Sequence, residues 1–334
     1  MFISTLIFGT FITMSSSSWI GMWMGLEVNL LSFIPLMIST NNLSSTESSI
    51  KYFLIQALAS LVFLFASIFY ITKFSFFSLY FFNENLIINS AMMLKLGAAP
   101  FHFWFPNIIE GLSWLNTLTL LTWQKLAPLT VISYSNFNLF IMFFIMMSSL
   151  IGALGGLNQT SLRKLLTFSS INHISWLLIS EFFSNSLWLF YFLIYAITNI
   201  SIIIMFKIFN LYHINQIFIY NNNQLIFKFC LLMNLFSLGG LPPFLGFIPK
   251  WMVIENMMNL KMFFLMFFMI MMALITLFFY ARLTFSAFLI SYPTMQWKNY
   301  NKELKFNNLF IMISMNLMSI LLLILFMMNN FFLL

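Results

Sequence analysis

Two ten-residue stretches decide the reading of this chain: Gly97-Ala-Ala-Pro100-Phe101-His102-Phe-Trp-Phe-Pro106 and Gly240-Leu-Pro-Pro243-Phe244-Leu-Gly-Phe-Ile-Pro249. Both fit G-x₂-P-F-x₄-P, and together they hold five of the chain's eight prolines. Each interrupts a run of apolar residues long enough to cross a bilayer. Proline removes a backbone donor and crowds the turn before it. Non-helical backbone at membrane depth is tolerated only where protein or a cavity surrounds it. Each stretch therefore predicts a broken helix, one at Pro100 and one at Pro243. Two independent kinks would also break these helices, but the shared spacing favours an internal repeat.

The rest of the chain is a membrane sequence. Of 334 residues, 62% are hydrophobic and only 6% charged, and the mean hydropathy is +0.98. A soluble domain carries roughly 25% charged residues, so an ordinary water-soluble fold is excluded. All seven acidic residues are glutamates. Without aspartate there is no EF-hand loop, Walker B site or aspartyl dyad. A single cysteine, Cys230, holds no iron–sulfur cluster and no internal disulfide. With three scattered histidines (His102, His173, His213), no metal site is expected, and no cofactor is expected in this chain. No basic nucleic-acid-binding segment is present; the expected surroundings are membrane lipids and other membrane proteins. Phenylalanine and methionine are over-used, and lysine outnumbers arginine twelve to two, a bias that suits a small A+T-rich organelle genome.

Eleven apolar windows succeed one another, from Phe2 to Met14 through Leu309 to Met328. The fold class read from them is all-α and polytopic, with about 11 transmembrane helices. The fourth window (Leu86 to Pro106) and the ninth (Phe229 to Met258) carry the two proline motifs and lie five spans apart. Units of five helices have an odd number of crossings, so a second copy sits inverted relative to the first. The expected division is residues 1–135, an inverted second repeat at 136–290, and a loop with a final span at 291–334. Broken helices at matching places in inverted repeats point to a transport site near the midplane. The loops after even-numbered spans hold Lys51, Arg163, Lys164, Lys207, Lys228, Lys298, Lys302 and Lys305, against Lys73 and Lys261 on the other side. The positive-inside rule places the lysine-rich face, and with it the N-terminus, in the matrix or cytoplasm.

Four ionisable residues fall inside apolar spans: Glu27, Lys95, Lys125 and Lys250. Each charge at a helix centre costs at least ~2.5–3.5 kcal/mol, so the four together would forfeit on the order of 10 kcal/mol unless paired, hydrated or neutral. Salt bridges do not satisfy all of them, because three cations face one anion. Snorkelling fits Lys250 if its break lies near the surface and fits Lys125 poorly. A lysine kept from bulk water is a proton carrier whose charge state its surroundings can switch. His173, among Ser169, Ser170, Asn172 and Ser175, is read either as a hydrogen-bonded packing residue or as a further relay member.

Several stretches carry a resemblance: Trp23-Met-Gly-Leu-Glu27-Val-Asn29-Leu, Leu96 to Pro106, Thr122-Trp-Gln-Lys125-Leu-Ala-Pro128, Gly155 to Lys164, Phe168 to His173, and Leu238 to Lys250. Together they resemble the antiporter-like membrane subunits of mitochondrial NADH:ubiquinone oxidoreductase (respiratory complex I), in their animal, arthropod-type form. The resemblance implies two inverted five-helix repeats and a proton path through Glu27, Lys95, Lys125 and Lys250. It implies a location in the mitochondrial inner membrane. It also implies partners among the other complex I membrane subunits, including sister antiporter-like subunits, with flavin and iron–sulfur clusters in other chains. Two other readings share some of these features. One is a subunit of a multi-subunit cation/proton antiporter. The other is a structural membrane spacer without pumping activity, for which the central Lys125 has no use.

Overall fold

The computed structural model describes residues 1–39, 42–72, 84–135, 139–219 and 225–289. Fourteen helices and no strand lie among them, in the order α1 (Phe2–Ser15), α2 (Trp19–Met37), α3 (Leu43–Thr72), α4 (Glu84–Leu96), α5 (Trp104–Gly111), α6 (Trp114–Leu121), α7 (Trp123–Ser133), α8 (Leu139–Gly156), α9 (Leu162–Phe183), α10 (Asn185–Phe209), α11 (Ile214–Ile219), α12 (Leu225–Gly239), α13 (Phe247–Asn259) and α14 (Phe263–Leu289). Five of them, α2, α3, α8, α10 and α14, are long and apolar enough to cross a membrane. The expected eleventh span, Leu309 to Met328, lies outside the described residues, as do Lys73, Lys298, Lys302 and Lys305.

The chain divides into two compact units. The first is Met1–Gly152 with Leu166–Asn185; the second is Ala153–Leu165 with the described residues from Ser186 onward. In the first unit, α1 packs along α2, and α3 packs against α2, α4 and α5. Phe33, Phe63, Phe105 and Trp176 are among its fully buried side chains. In the second unit, α12 and α13 both pack on α14. Tyr191, Phe206, Val253, Met257, Phe279 and Tyr280 form part of its core. The outer surfaces are apolar too. Leu58, Leu61 and Phe65 of α3 stand exposed, as do Phe264, Phe267 and Phe278 of α14. Apolar faces of this extent belong against lipid or other subunits rather than water.

Two expected spans are interrupted where the motif predicts, although the glycine ends each helix before the proline is reached. α4 stops at Leu96 and α5 begins at Trp104; α12 stops at Gly239 and α13 begins at Phe247. Each gap is seven residues long, 97–103 and 240–246. Both open on a left-handed glycine, Gly97 (φ 72°) and Gly240 (φ 79°). Around each, the same pair of hydrogen bonds closes the helix. Ala98 N donates to Met93 O and Gly97 N to Leu94 O; Leu241 N donates to Phe236 O and Gly240 N to Ser237 O. This is the Schellman arrangement, which needs a residue free to adopt positive φ and is commonly followed by proline.

A third interruption was not expected. The sequence reads Leu112 to Tyr134 as one span, but it is two helices, α6 and α7, divided at Thr122. Both the backbone N and the Oγ1 of Thr122 donate to Leu118 O, at 3.0 and 2.7 Å. A threonine bonding back to the carbonyl four residues earlier bends helices. Pro128 inside α7 additionally deprives the Gln124 carbonyl of its helical donor. A Thr/Pro pair six residues apart was the signal available in the sequence.

Candidate functional site

The first unit holds a cavity of about 20 Å³, counted as space open to water centres, enough for one water molecule. Lys95 and Lys125 both line it, together with Asn29, Tyr52, Gln56 and Gln124. Lys95 stands in the last turn of α4, where the helix dipole favours a cation. Lys125 is the third residue of α7, just past the Thr122 interruption. The two lysines are 7% and 2% exposed, so neither ammonium snorkels to a surface of this unit. The unexpected division of the fifth span thus falls at the central lysine.

Neighbouring groups hold the site in place. Lys125 Nζ donates to the Ser170 carbonyl on α9 at 3.3 Å and stands 5.8 Å from the centre of the Phe105 ring, within cation–π range. Trp104 Nε1 donates to Leu94 O at 3.2 Å, and Gln56 Nε2 donates to Lys95 O at 3.3 Å. The first adds a second donor to the carbonyl that already accepts from Gly97 N; the second satisfies a carbonyl that the end of α4 leaves open. Tyr52, edge-on to Phe33 and Trp104, donates to Gln124 Oε1 at 3.4 Å. Gln124 Nε2 in turn donates to Asn29 Oδ1 at 3.1 Å. A line of neutral polar groups therefore runs from α2 across the cavity wall to the helix that carries Lys125.

Glu27 lies on α2, two residues before Asn29, and is half-buried. It forms no ion pair with Lys95 within 4 Å. The fourth ionisable residue, Lys250, belongs to the second unit. It sits in the first turn of α13 and is 5% exposed. Its Nζ donates to Gly239 O at 2.9 Å, at the open end of α12. Burial at that contact rules out the snorkelling reading within this unit. Pro243 falls in the gap beside it, as Pro100 falls in the gap after α4. His173 is buried on α9, three residues beyond Ser170. His102 Nδ1 shares a hydrogen bond with Pro100 O at 3.2 Å and holds the first gap together.

Charge alone found the lysines, and the neutral groups around them were missed. Tyr52, Gln56 and Gln124 gave little sign, because amides and phenols inside spans are common. Their helical spacing was the available clue: Tyr52 and Gln56 are four residues apart and share one face of α3.

Residues 16–276 match the family model described as NADH:quinone oxidoreductase/Mrp antiporter, TM. The chain is similar to NADH-ubiquinone oxidoreductase chain 2 of Anopheles gambiae, at 52% identity over 91% of both chains. It is also similar to that of Aedes aegypti, at 51% identity over 96% of this chain and 94% of the relative. Among solved structures, a chain of respiratory complex I from Thermus thermophilus superposes with a TM-score of 0.83 at 18% identity, covering 97% of this chain and 77% of that one. A chain of the Mrp complex from Dietzia sp. superposes with a TM-score of 0.74 at 16% identity, over 86% and 59% of the two chains.

Proposed function

This chain belongs to the NADH-ubiquinone oxidoreductase chain 2 family, and on that footing we propose that it is an antiporter-like, proton-translocating subunit of respiratory complex I in the mitochondrial inner membrane. NADH oxidation, flavin, iron–sulfur clusters and quinone chemistry belong to partner subunits. This chain contributes a path for protons through Glu27, Lys95, Lys125 and Lys250, organised as two inverted five-helix repeats, 1–135 and 136–290, each with one broken helix. The final segment, 291–334, completes about eleven spans, and the N-terminus faces the matrix.

The observation that carries this reading is the cavity shared by Lys95 and Lys125. Two buried ammonium groups facing one small polar space are an expensive arrangement for a membrane protein to keep. A structural spacer has no use for them. A relay does: water in a cavity that both amines line gives a proton a route between them. Asn29, Tyr52, Gln56 and Gln124 orient that water while carrying no charge that would trap the proton. Glu27 supplies the switching element. Its approach or withdrawal changes the field at Lys95 and so decides when the relay is loaded.

The test is Lys125→Met in the assembled complex. Methionine fits α7 without a desolvation cost, so assembly should persist while coupled quinone reduction falls sharply. Wild-type coupled turnover in a fully assembled variant would remove Lys125 from the centre of the path.

A further inference from the structure

The relay leaves unused one acid whose carboxylate is buried. Glu181 stands in the last turn of α9, and both of its carboxylate oxygens are buried with no hydrogen-bond partner. It lines a second cavity in the same unit, of about 260 Å³, which has room for several waters. The other lining residues are Ile132, Ser133 and Ser135 at the end of α7, Ile141 near the start of α8, and Leu178 and Phe182 beside it on α9. None of these is ionisable. Ser135 Oγ donates to Asn89 Oδ1 at 2.6 Å, while Asn89 Nδ2 is a buried donor without an acceptor. Thus Glu181 shares its cavity with a serine whose hydroxyl bonds an amide that is itself only partly satisfied.

A carboxylate in this position meets three penalties. It has no counter-ion, it has no donor, and it sits at the negative end of a helix dipole. A carboxylic acid meets only the milder cost of an unpaired polar group, which waters in the cavity relieve. Its place along α9 is also informative. Ser170, His173, Leu177 and Glu181 succeed one another at spacings of three, four and four residues, and so share one face. Ser170 gives its carbonyl to Lys125. Glu181 lies eleven residues further on, about 16 Å along the helix. Ser133 lies eight residues past Lys125 on α7, about 12 Å. Both helices therefore lead from the central lysine to this cavity.

We propose that Glu181 is a proton-binding site, exchanging its proton with water in the cavity and forming the outer end of the path that passes Lys125. Its role rests on the relay reading above; its occupancy by a proton does not. On the orientation proposed for this chain, that end faces the intermembrane space.

The experiment is labelling of the intact complex with dicyclohexylcarbodiimide, followed by mass spectrometry of the peptide containing Glu181. The reagent reacts with a protonated carboxyl in apolar surroundings. The O–H adds across one C=N bond, its proton passes to nitrogen, and the acyl group then migrates to the other nitrogen, so the residue gains the mass of the whole reagent. Glu181 should be labelled in the wild-type complex, less so as the pH of the medium rises, and not at all in E181Q. Coupled turnover of assembled E181Q should fall, with partial recovery in E181D. Absence of the label from Glu181 in the native complex, when the same peptide labels after unfolding in acid, would overturn the proposal. So would wild-type turnover in both E181Q and E181A. Loss of turnover in Lys125→Met but not in the Glu181 variants removes this site alone, whereas wild-type turnover in Lys125→Met removes the relay on which its role depends.

Discussion

The ammonium of Lys250 bonds the carbonyl of Gly239 across the second helix break, at 2.9 Å. The same Schellman closure ends α4 and α12 and leaves the carbonyls of the last two helical residues open at each end, Lys95 and Leu96 in one and Leu238 and Gly239 in the other. At the first break the neutral amide of Gln56 takes one of them, Lys95 O. At the second break a cation does so. The two gaps are thus alike in backbone and different in charge: the first places its lysine before the gap, in α4, and the second after it, in α13. Lys250 serves α12 as a cap, and the relay proposed above asks it to carry a proton as well.

Those two roles separate by substitution. Lys250→Gln keeps a donor for the Gly239 carbonyl and removes the carrier. Stability of the assembled subunit should stay near wild type while coupled turnover falls. Lys250→Met removes both, leaving a buried carbonyl open at a cost of about 1–3 kcal/mol. It should lower the thermal inactivation temperature as well as the turnover. Equal turnover in Lys250→Gln and wild type would reduce Lys250 to a cap.

Gly240 is required twice over. Its φ of 79° is costly for any residue with a Cβ, by roughly 1–2 kcal/mol. An added Cβ would also stand 3.0 Å from both Cδ and Nζ of Lys250. Gly240→Ala should therefore lose stability and displace the ammonium from Gly239 O. Gly97→Ala bears the same backbone cost, but its Cβ would meet the Trp104 ring at 3.2 Å instead of a charge. Turnover per assembled complex should drop more for Gly240→Ala than for Gly97→Ala. The reverse order would mean that the contact with Lys250 is unimportant.

Much of this was legible in the sequence, and the remainder was hidden for physical reasons. The repeated glycine–proline motif located both gaps, because left-handed glycine and donor-less proline are local demands that no tertiary contact relaxes. The four membrane charges stood out because each is expensive anywhere inside a bilayer. The break at Thr122 was hidden: threonine back-bonding is a small effect that bends one helix and leaves another straight, and apolar composition runs through it unchanged. The polar wall of Asn29, Tyr52, Gln56 and Gln124 was hidden for a related reason. Uncharged polar groups are inexpensive enough to occur without function, and only their convergence on one cavity gives them meaning. Glu181 escaped because it lies just past the apolar window of its span, Leu165 to Ile179, where an acid reads as a surface residue.

Membrane orientation has its own test. The residues between α8 and α9 carry Asn158 and lead into Arg163 and Lys164 on the lysine-rich side. Cys230 is buried and contributes little background. Asn158→Cys should react with a membrane-impermeant maleimide only in inside-out vesicles, where the matrix face is outward. Labelling confined to the opposite preparation would reverse the proposed topology.

The last prediction concerns Glu27 and Lys95. Glu27 and Lys95 form no ion pair within 4 Å. The ammonium lines the small cavity at the end of α4, and the carboxylate stands half-buried on α2. If the two residues act as the proposed switching pair, a movement of α2 would bring the charges together and a return would separate them. If the field of Glu27 sets the charge state of Lys95, removing either partner should disable the same step. Glu27→Gln and Lys95→Met should each depress coupled turnover, and the double variant should be little worse than the poorer single one. Glu27→Asp keeps the charge at a longer reach and should retain partial function. Coupling energies of about 0.5–3 kcal/mol are typical of residues that act together, whereas independent sites add. Proton-coupled quinone reduction, normalised to assembled complex, measures the cycle. Simple additivity of the two losses would show that Glu27 and Lys95 serve separate steps, and the switching pair would have to be abandoned.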